Sequence, residues 1–162
     1  MSGARALTDG ETVFATIDVA VSPRRAFEAM NSAEVERWWG APSLYRMQGW
    51  RADMRVGGSW RVDVRLPDGT LLPAHGEYLV VEAPHLVALT RRYDWNHPTL
   101  GRRVTKVIYG FDEIEGGTCV TVLQGEFGSP EAAREHAAGW ERTLNLLRAY
   151  LMPGNALGAE AA

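Results

Sequence analysis

The 162-residue sequence has a single cysteine, Cys119, so no disulfide can form within the chain. A reducing cytoplasm is the expected setting. Positive charge is also short. Seventeen Lys and Arg face 20 Asp and Glu, for a formal net charge of −3, and no basic excess is left to attract a phosphate backbone. Nucleic acid is therefore not an expected partner. No stretch approaches the roughly 20 apolar residues of a membrane helix, and residues 1–10 lack the apolar core of a signal peptide. Neither membrane insertion nor secretion is expected.

Motifs with dedicated chemistry are missing as well. Gly-x-Ser-x-Gly is absent, so no serine has the setting of a nucleophile elbow. Gly57-Gly58 lacks the surroundings of a phosphate loop and precedes a strand-like run, which makes it a turn or bulge. His75, His85, His97 and His136 show no pair at three- or four-residue spacing and no cysteine partner, so no metal site is expected. Cys119 has no electropositive neighbour in sequence and reads as a buried thiol. No catalytic residue and no cofactor is assigned.

What the chain does have is rhythm. Hydrophobic residues make up 46% and charged residues 23%, a balance that folds without help and fits one domain. From Thr12 to Val21, apolar residues at every second position predict a half-buried strand. Ser22-Pro23 then supplies a cap and a first-turn proline for a short helix carrying Ala26, Phe27 and Met30. Ser32 can cap a second short helix, which ends at Trp38-Trp39 before Gly40 and Pro42. Strand-like runs follow from Leu44 to Phe127, broken by Gly57-Gly58, Pro67-Asp68-Gly69, Ala83-Pro84 and Gly116-Gly117, and read as an antiparallel meander. Trp60-Val62-Val64-Leu66 alternates with Arg61, Asp63 and Arg65, and Val120-Val122-Gln124 with Cys119, Thr121 and Leu123; only the first alternation is clean enough to orient.

Ser129-Pro130-Glu131 opens a long helix whose Ala133, Ala137, Trp140, Leu144, Leu147 and Leu151 form one stripe. Gly139 reads as a point of close backbone approach. Pro153-Gly154 ends the helix. The organisation expected is a flexible 1–10, a single domain over 11–152, and a loose tail over 153–162. The fold class is α+β: a curved antiparallel sheet of about six to seven strands wrapped around the C-terminal helix, with two short helices after the first strand. Such a sheet tends to keep a pocket in its concave face.

These residues resemble a known family. Ser22-Pro23 with Phe27, Arg37-Trp38-Trp39-Gly40, Asp53 to Trp60, Gly76-Glu77-Tyr78, and Gly139-Trp140 with Leu144 are similar in order and spacing to the START-like, or SRPBCC, helix-grip superfamily, in its branch of heat-shock-chaperone ATPase activator homologues. The resemblance implies the helix-grip fold and a cavity. It also suggests three functions: holding a hydrophobic lipid, aromatic or polyketide-like ligand, acting as a regulatory module on a chaperone in the stress response, or catalysis of cyclase, aromatase or hydrolase type.

Candidate ligand-binding residues are Phe27, Trp38, Trp39, Trp60, Tyr78 and Arg91, with Tyr93, Tyr109, Phe111, His136, Trp140 and Leu144. Trp38 and Trp39 are either a lid or packing between helix and sheet. Alternation sends Arg91, Tyr93 and Trp95 to one face and Arg92 and Asp94 to the other. An inward Arg91 needs an acid, such as Glu126, or a ligand anion; an outward one is a solvated ion pair. His136 is either a pocket acid–base group or a hydrogen-bonded boundary residue. The expected partners are a hydrophobic small molecule and a possible protein, with the chain a monomer or homodimer.

Overall fold

The computed structural model describes residues 2–41 and 43–152. Its first element lies in the segment expected to be loose. Strand β1 (Arg5–Asp9) has only Ala6 half-buried and so no apolar rhythm of its own. It is held by the ladder of β2 (Thr12–Val19), reached through a turn in which Gly10 takes φ 60°. In β2 the alternation is realised, with Val13, Ala15, Ile17 and Val19 buried.

Helix α1 (Pro23–Met30) starts as its sequence dictates: the Ser22 Oγ accepts the Arg25 N–H at 3.2 Å, and Pro23 occupies the first turn. Helix α2 (Val35–Trp38) is a single turn capped at Glu34. Ser32 therefore lies two residues ahead of its expected cap position, where its Oγ accepts the Glu34 N–H at 3.2 Å. Strand β3 (Gly40–Ala41) follows, and the anticipated stop at Pro42 lies outside the described residues. Then come β4 (Tyr45–Ala52), β5 (Ser59–Arg65), β6 (Leu71–Glu82), β7 (Leu86–Tyr93), β8 (Thr105–Ile114) and β9 (Gly117–Gly125).

Every neighbouring pair in the resulting nine-stranded sheet is antiparallel, in the order β1-β2-β9-β8-β7-β6-β5-β4-β3. The strands beyond the expected seven are β1 and β3 at the two edges, each too short or too polar to show a period. Gly57-Gly58 is a turn: Gly57 takes φ 84°, and a Cβ on Gly58 would strike the Asp53 carbonyl oxygen.

Helix α3 (Pro130–Leu151) begins where Ser129 Oγ accepts the Ala132 N–H at 3.1 Å. The whole expected stripe is buried, from Ala133 through Trp140 to Leu151. The helix packs chiefly on β2 and β1 at one side of the sheet. Its N-terminal half passes over β8 and β9, where Trp140 meets Tyr109 edge-on at 5.8 Å. The concave faces of β4 to β7 therefore curl past the helix without being filled by it. The expected helix stop at Pro153-Gly154 and the 153–162 tail lie outside the described residues.

Candidate functional site

The space left under α3 is a cavity of about 330 Å³, at the small end of ligand sites. Its wall is aromatic at Trp39, Tyr45, Tyr93, Trp95 and Trp140 and aliphatic at Met47, Val64, Leu66 and Leu72. Among its polar residues are Arg91, Gln124, His97 and His136; Glu135 and Arg142 are exposed at the rim.

The structure divides the candidate residues. Trp39, Arg91, Tyr93, His136 and Trp140 line the cavity. Trp60 and Tyr109 lie behind it around a hollow of about 20 Å³, enough for one water. Phe27, Trp38, Tyr78, Phe111 and Leu144 are buried and border neither space. Phe27 and Phe111 pack edge-to-face at 5.3 Å beneath α1. Trp38 is fixed by its Nε1–H, which donates to the Ala29 carbonyl at 2.9 Å, and it stacks on Trp39 at 5.3 Å. The tryptophan pair is thus half packing and half wall. Burial drives the Tyr78 phenol above its ordinary pKa and pushes Tyr109 up to about 12.

The alternation at the end of β7 and just beyond it holds: Arg91, Tyr93 and Trp95 all face the cavity, while Arg92 and Asp94 pair elsewhere at 3.9 Å. The solvated reading of Arg91 is thereby corrected. So is its suggested acid, because the Glu126 carboxylate lies 4.0 Å from Lys106.

A relay of hydrogen bonds braces the back wall. The Trp140 Nε1–H donates to Gln124 Oε1 at 2.7 Å, Gln124 Nε2 donates to Thr105 Oγ1 at 2.9 Å, and the Thr105 hydroxyl donates to the Arg91 carbonyl at 3.2 Å. Gln124 is 1% exposed, so its amide is spent on fixing Trp140 and β7. The β9 alternation is not clean enough to orient it from sequence, and its role depends on Trp140 and Thr105, far off in sequence.

At the rim the fold joins histidines that spacing kept apart. His97, Glu135 and His136 present ligand atoms within 4.8 Å of one another. Hydrogen bonding decides what this cluster can do. His97 Nδ1 accepts the backbone N–H groups of Thr99 and Leu100, both at 3.2 Å, so its proton sits on Nε2, 3.4 Å from Glu135 Oε1. His136 Nδ1 faces the Ala132 carbonyl at 2.9 Å and carries the proton there, while its Nε2 accepts the Tyr93 hydroxyl at 3.3 Å. Both nitrogens turned toward Glu135 are protonated, so the trio suits a hydrogen-bonded rim better than a cation cage. Burial lowers the pKa of both histidines, which favours the neutral rings; the Ala132 hydrogen bond opposes the shift at His136 and Glu135 opposes it at His97.

A curved antiparallel sheet closed over one long helix, with a cavity between them, defines a helix-grip protein of the SRPBCC superfamily. Residues 20–152 match the family described as Activator of Hsp90 ATPase homolog 1-like protein, and the chain belongs to that family. Solved structures share the fold. A protein from Chromobacterium violaceum is 20% identical with a TM-score of 0.75, covering 88% of this chain and 98% of its own. One from Rhodobacter sphaeroides is 21% identical with a TM-score of 0.75, covering 91% and 97%. An AHSA1-like protein from Aeromonas hydrophila is 22% identical with a TM-score of 0.67, covering 85% and 91%. No curated protein matches the chain.

Proposed function

We propose that the protein holds a hydrophobic small molecule, lipid-like, aromatic or polyketide-like, in the cavity between its sheet and C-terminal helix. The observation that carries this reading is the cavity of about 330 Å³, most of whose lining is aromatic or aliphatic. A cytoplasmic setting belongs to the same proposal and is supported by the lone free cysteine. No helix among the described residues is long and apolar enough to cross a membrane. Native mass spectrometry and thermal-shift screening against hydrophobic compounds test the reading. A ligand at about 100 times its Kd stabilises the folded state by roughly 2.7 kcal/mol, a clear rise in Tm. A broad library that yields neither an adduct nor a shift would reject it.

One observation favours a second reading, an interaction surface. On the outer face of the sheet, strand register aligns Leu7, Phe14, Leu123, Ile108, Ala88 and Val80 in one row across six neighbouring strands. All but Ala88 are exposed. On β8, exposed Lys106 flanks the row on one side and exposed Asp112 on the other. A two-fold axis along the row lays apolar on apolar and turns the Lys106 flank of one copy toward the Asp112 flank of the next, so the occupant it fits is a second copy of this chain. For catalysis the structure offers His136 beside Tyr93, 3.3 Å apart.

A further inference from the structure

Arg91 is the one feature of the cavity that an apolar ligand does not explain. It sits on β7, facing inward and half-buried, and it borders both the main cavity and the small hollow behind it. Its guanidinium carbon lies 5.5 Å from the ring centroid of Trp60, 5.7 Å from that of Tyr93 and 5.8 Å from that of Trp39. Three rings hold the cation by their faces. Rings in that arrangement do not satisfy the in-plane N–H groups, which point where an acceptor is wanted.

Among the described residues no carboxylate lies within ion-pair distance of Arg91. Glu135, the carboxylate of the cavity rim, is engaged by Thr99 Oγ1 at 3.0 Å and His97 Nε2 at 3.4 Å. The same wall includes Trp95, whose indole N–H is buried without a hydrogen-bond partner among the described residues. A half-buried cation without a counter-ion is partly desolvated, and an anion brought in by a ligand offsets that cost. The planar fork of arginine fits a carboxylate with two parallel hydrogen bonds.

The rest of the cavity gives the ligand's other end. Ala74 pairs with both Val62 and Tyr93, and the next inward pair along β5 and β6 is Val64 with Leu72, joined by Met47 of β4. One row beyond that of Tyr93, the lining on β4 to β6 is therefore aliphatic. We propose, resting on the binding reading above, that the ligand is an amphipathic monocarboxylate whose acid group sits on Arg91 and whose apolar body lies toward Met47, Val64 and Leu72. One cation in the wall matches one negative charge; Arg142, the other arginine of the lining, is exposed at the rim.

The test is calorimetric titration of the full chain with two matched pairs, octanoate against octan-1-ol and 2-naphthoate against 2-naphthol. Each acid should bind the wild type roughly ten- to a hundredfold more tightly than its alcohol, the span of a charge-assisted hydrogen bond. Arg91→Gln should remove that preference by weakening the acid far more than the alcohol, and Arg91→Lys should keep part of it; circular dichroism establishes that both variants fold. Equal binding of acid and alcohol to wild type and Arg91→Gln would overturn the anion site and leave the apolar cavity standing. Binding of no member of either pair would overturn both.

Discussion

At the residue scale, the cavity depends on side chains whose hydrogen bonds leave them no freedom. Trp140 and Gln124 are the clearest pair, each nearly inaccessible and each supplying the other's partner at 2.7 Å. Trp140→Phe strands the Gln124 oxygen and Gln124→Leu strands the indole N–H, so each should cost about 1–3 kcal/mol in urea denaturation. The double variant should cost less than the sum, because a hydrogen bond removed from both ends leaves no orphan. His136 and His97 give a pH signature. Burial is the main cause lowering both below the ordinary 6.5, so the unfolded chain takes up protons first as pH falls through that value. Their contribution to stability is therefore complete above pH 6.5 and is lost on acidification through the folded-state values. Glu135 opposes the loss; Arg91 adds to it at His136. Thermal melts from pH 7.5 down to 5 should show falling Tm, with a shallower fall in His136→Gln. An unchanged slope in that variant would remove His136 from the account.

At the element scale, two glycines of the family motifs, Gly76 and Gly139, do different things. Gly76 lies where a Cβ would land on the Thr90 carbonyl oxygen and 2.7 Å from Trp60 Nε1. That missing side chain is what lets the Trp60 indole donate to the Thr90 carbonyl at 3.0 Å. Gly76→Ala should break this contact and destabilise by more than about 2 kcal/mol. Gly139 was expected to admit a close backbone. Instead, a Cβ there meets only Arg142 Nη2 at 3.9 Å, and the residue lines the cavity. Gly139→Ala should stabilise the helix by up to about 1 kcal/mol, whereas Gly139→Phe should close the cavity and abolish ligand-induced shifts in Tm.

The same contrast shows how far local pattern reaches. Period-two runs placed β2 and β5, and caps with a three-and-four stripe placed α1 and α3, because each of these buries one face of its own residues. Strands β1 and β3 were not legible, since their partners and not their own side chains hold them. The aromatic residues were legible as a set. Which of them pack and which line the space was not, because that depends on α3 stopping short of β4 to β7. His97 and Glu135 could not be linked from spacing at all, being joined only where the loop after β7 meets α3.

At the scale of the whole molecule, the chain presents two apolar features on opposite faces of one sheet, the cavity inside and the six-residue row outside. The outer row predicts concentration-dependent self-association in sedimentation velocity, relieved by Ile108→Glu, which places a charge at an exposed position without touching the core. A wild type that sediments as a monomer up to high concentration would strip the row of that role. The inner cavity carries the central claim, and the six tryptophans report on it directly. In a heteronuclear NMR titration with 2-naphthoate, the indole N–H signals of Trp39, Trp95 and Trp140 should shift saturably. That of Trp38, locked onto the Ala29 carbonyl outside the cavity, should stay in place. Indole signals that do not move, or that move at Trp38 while those of the wall stay fixed, would contradict a ligand site between sheet and helix.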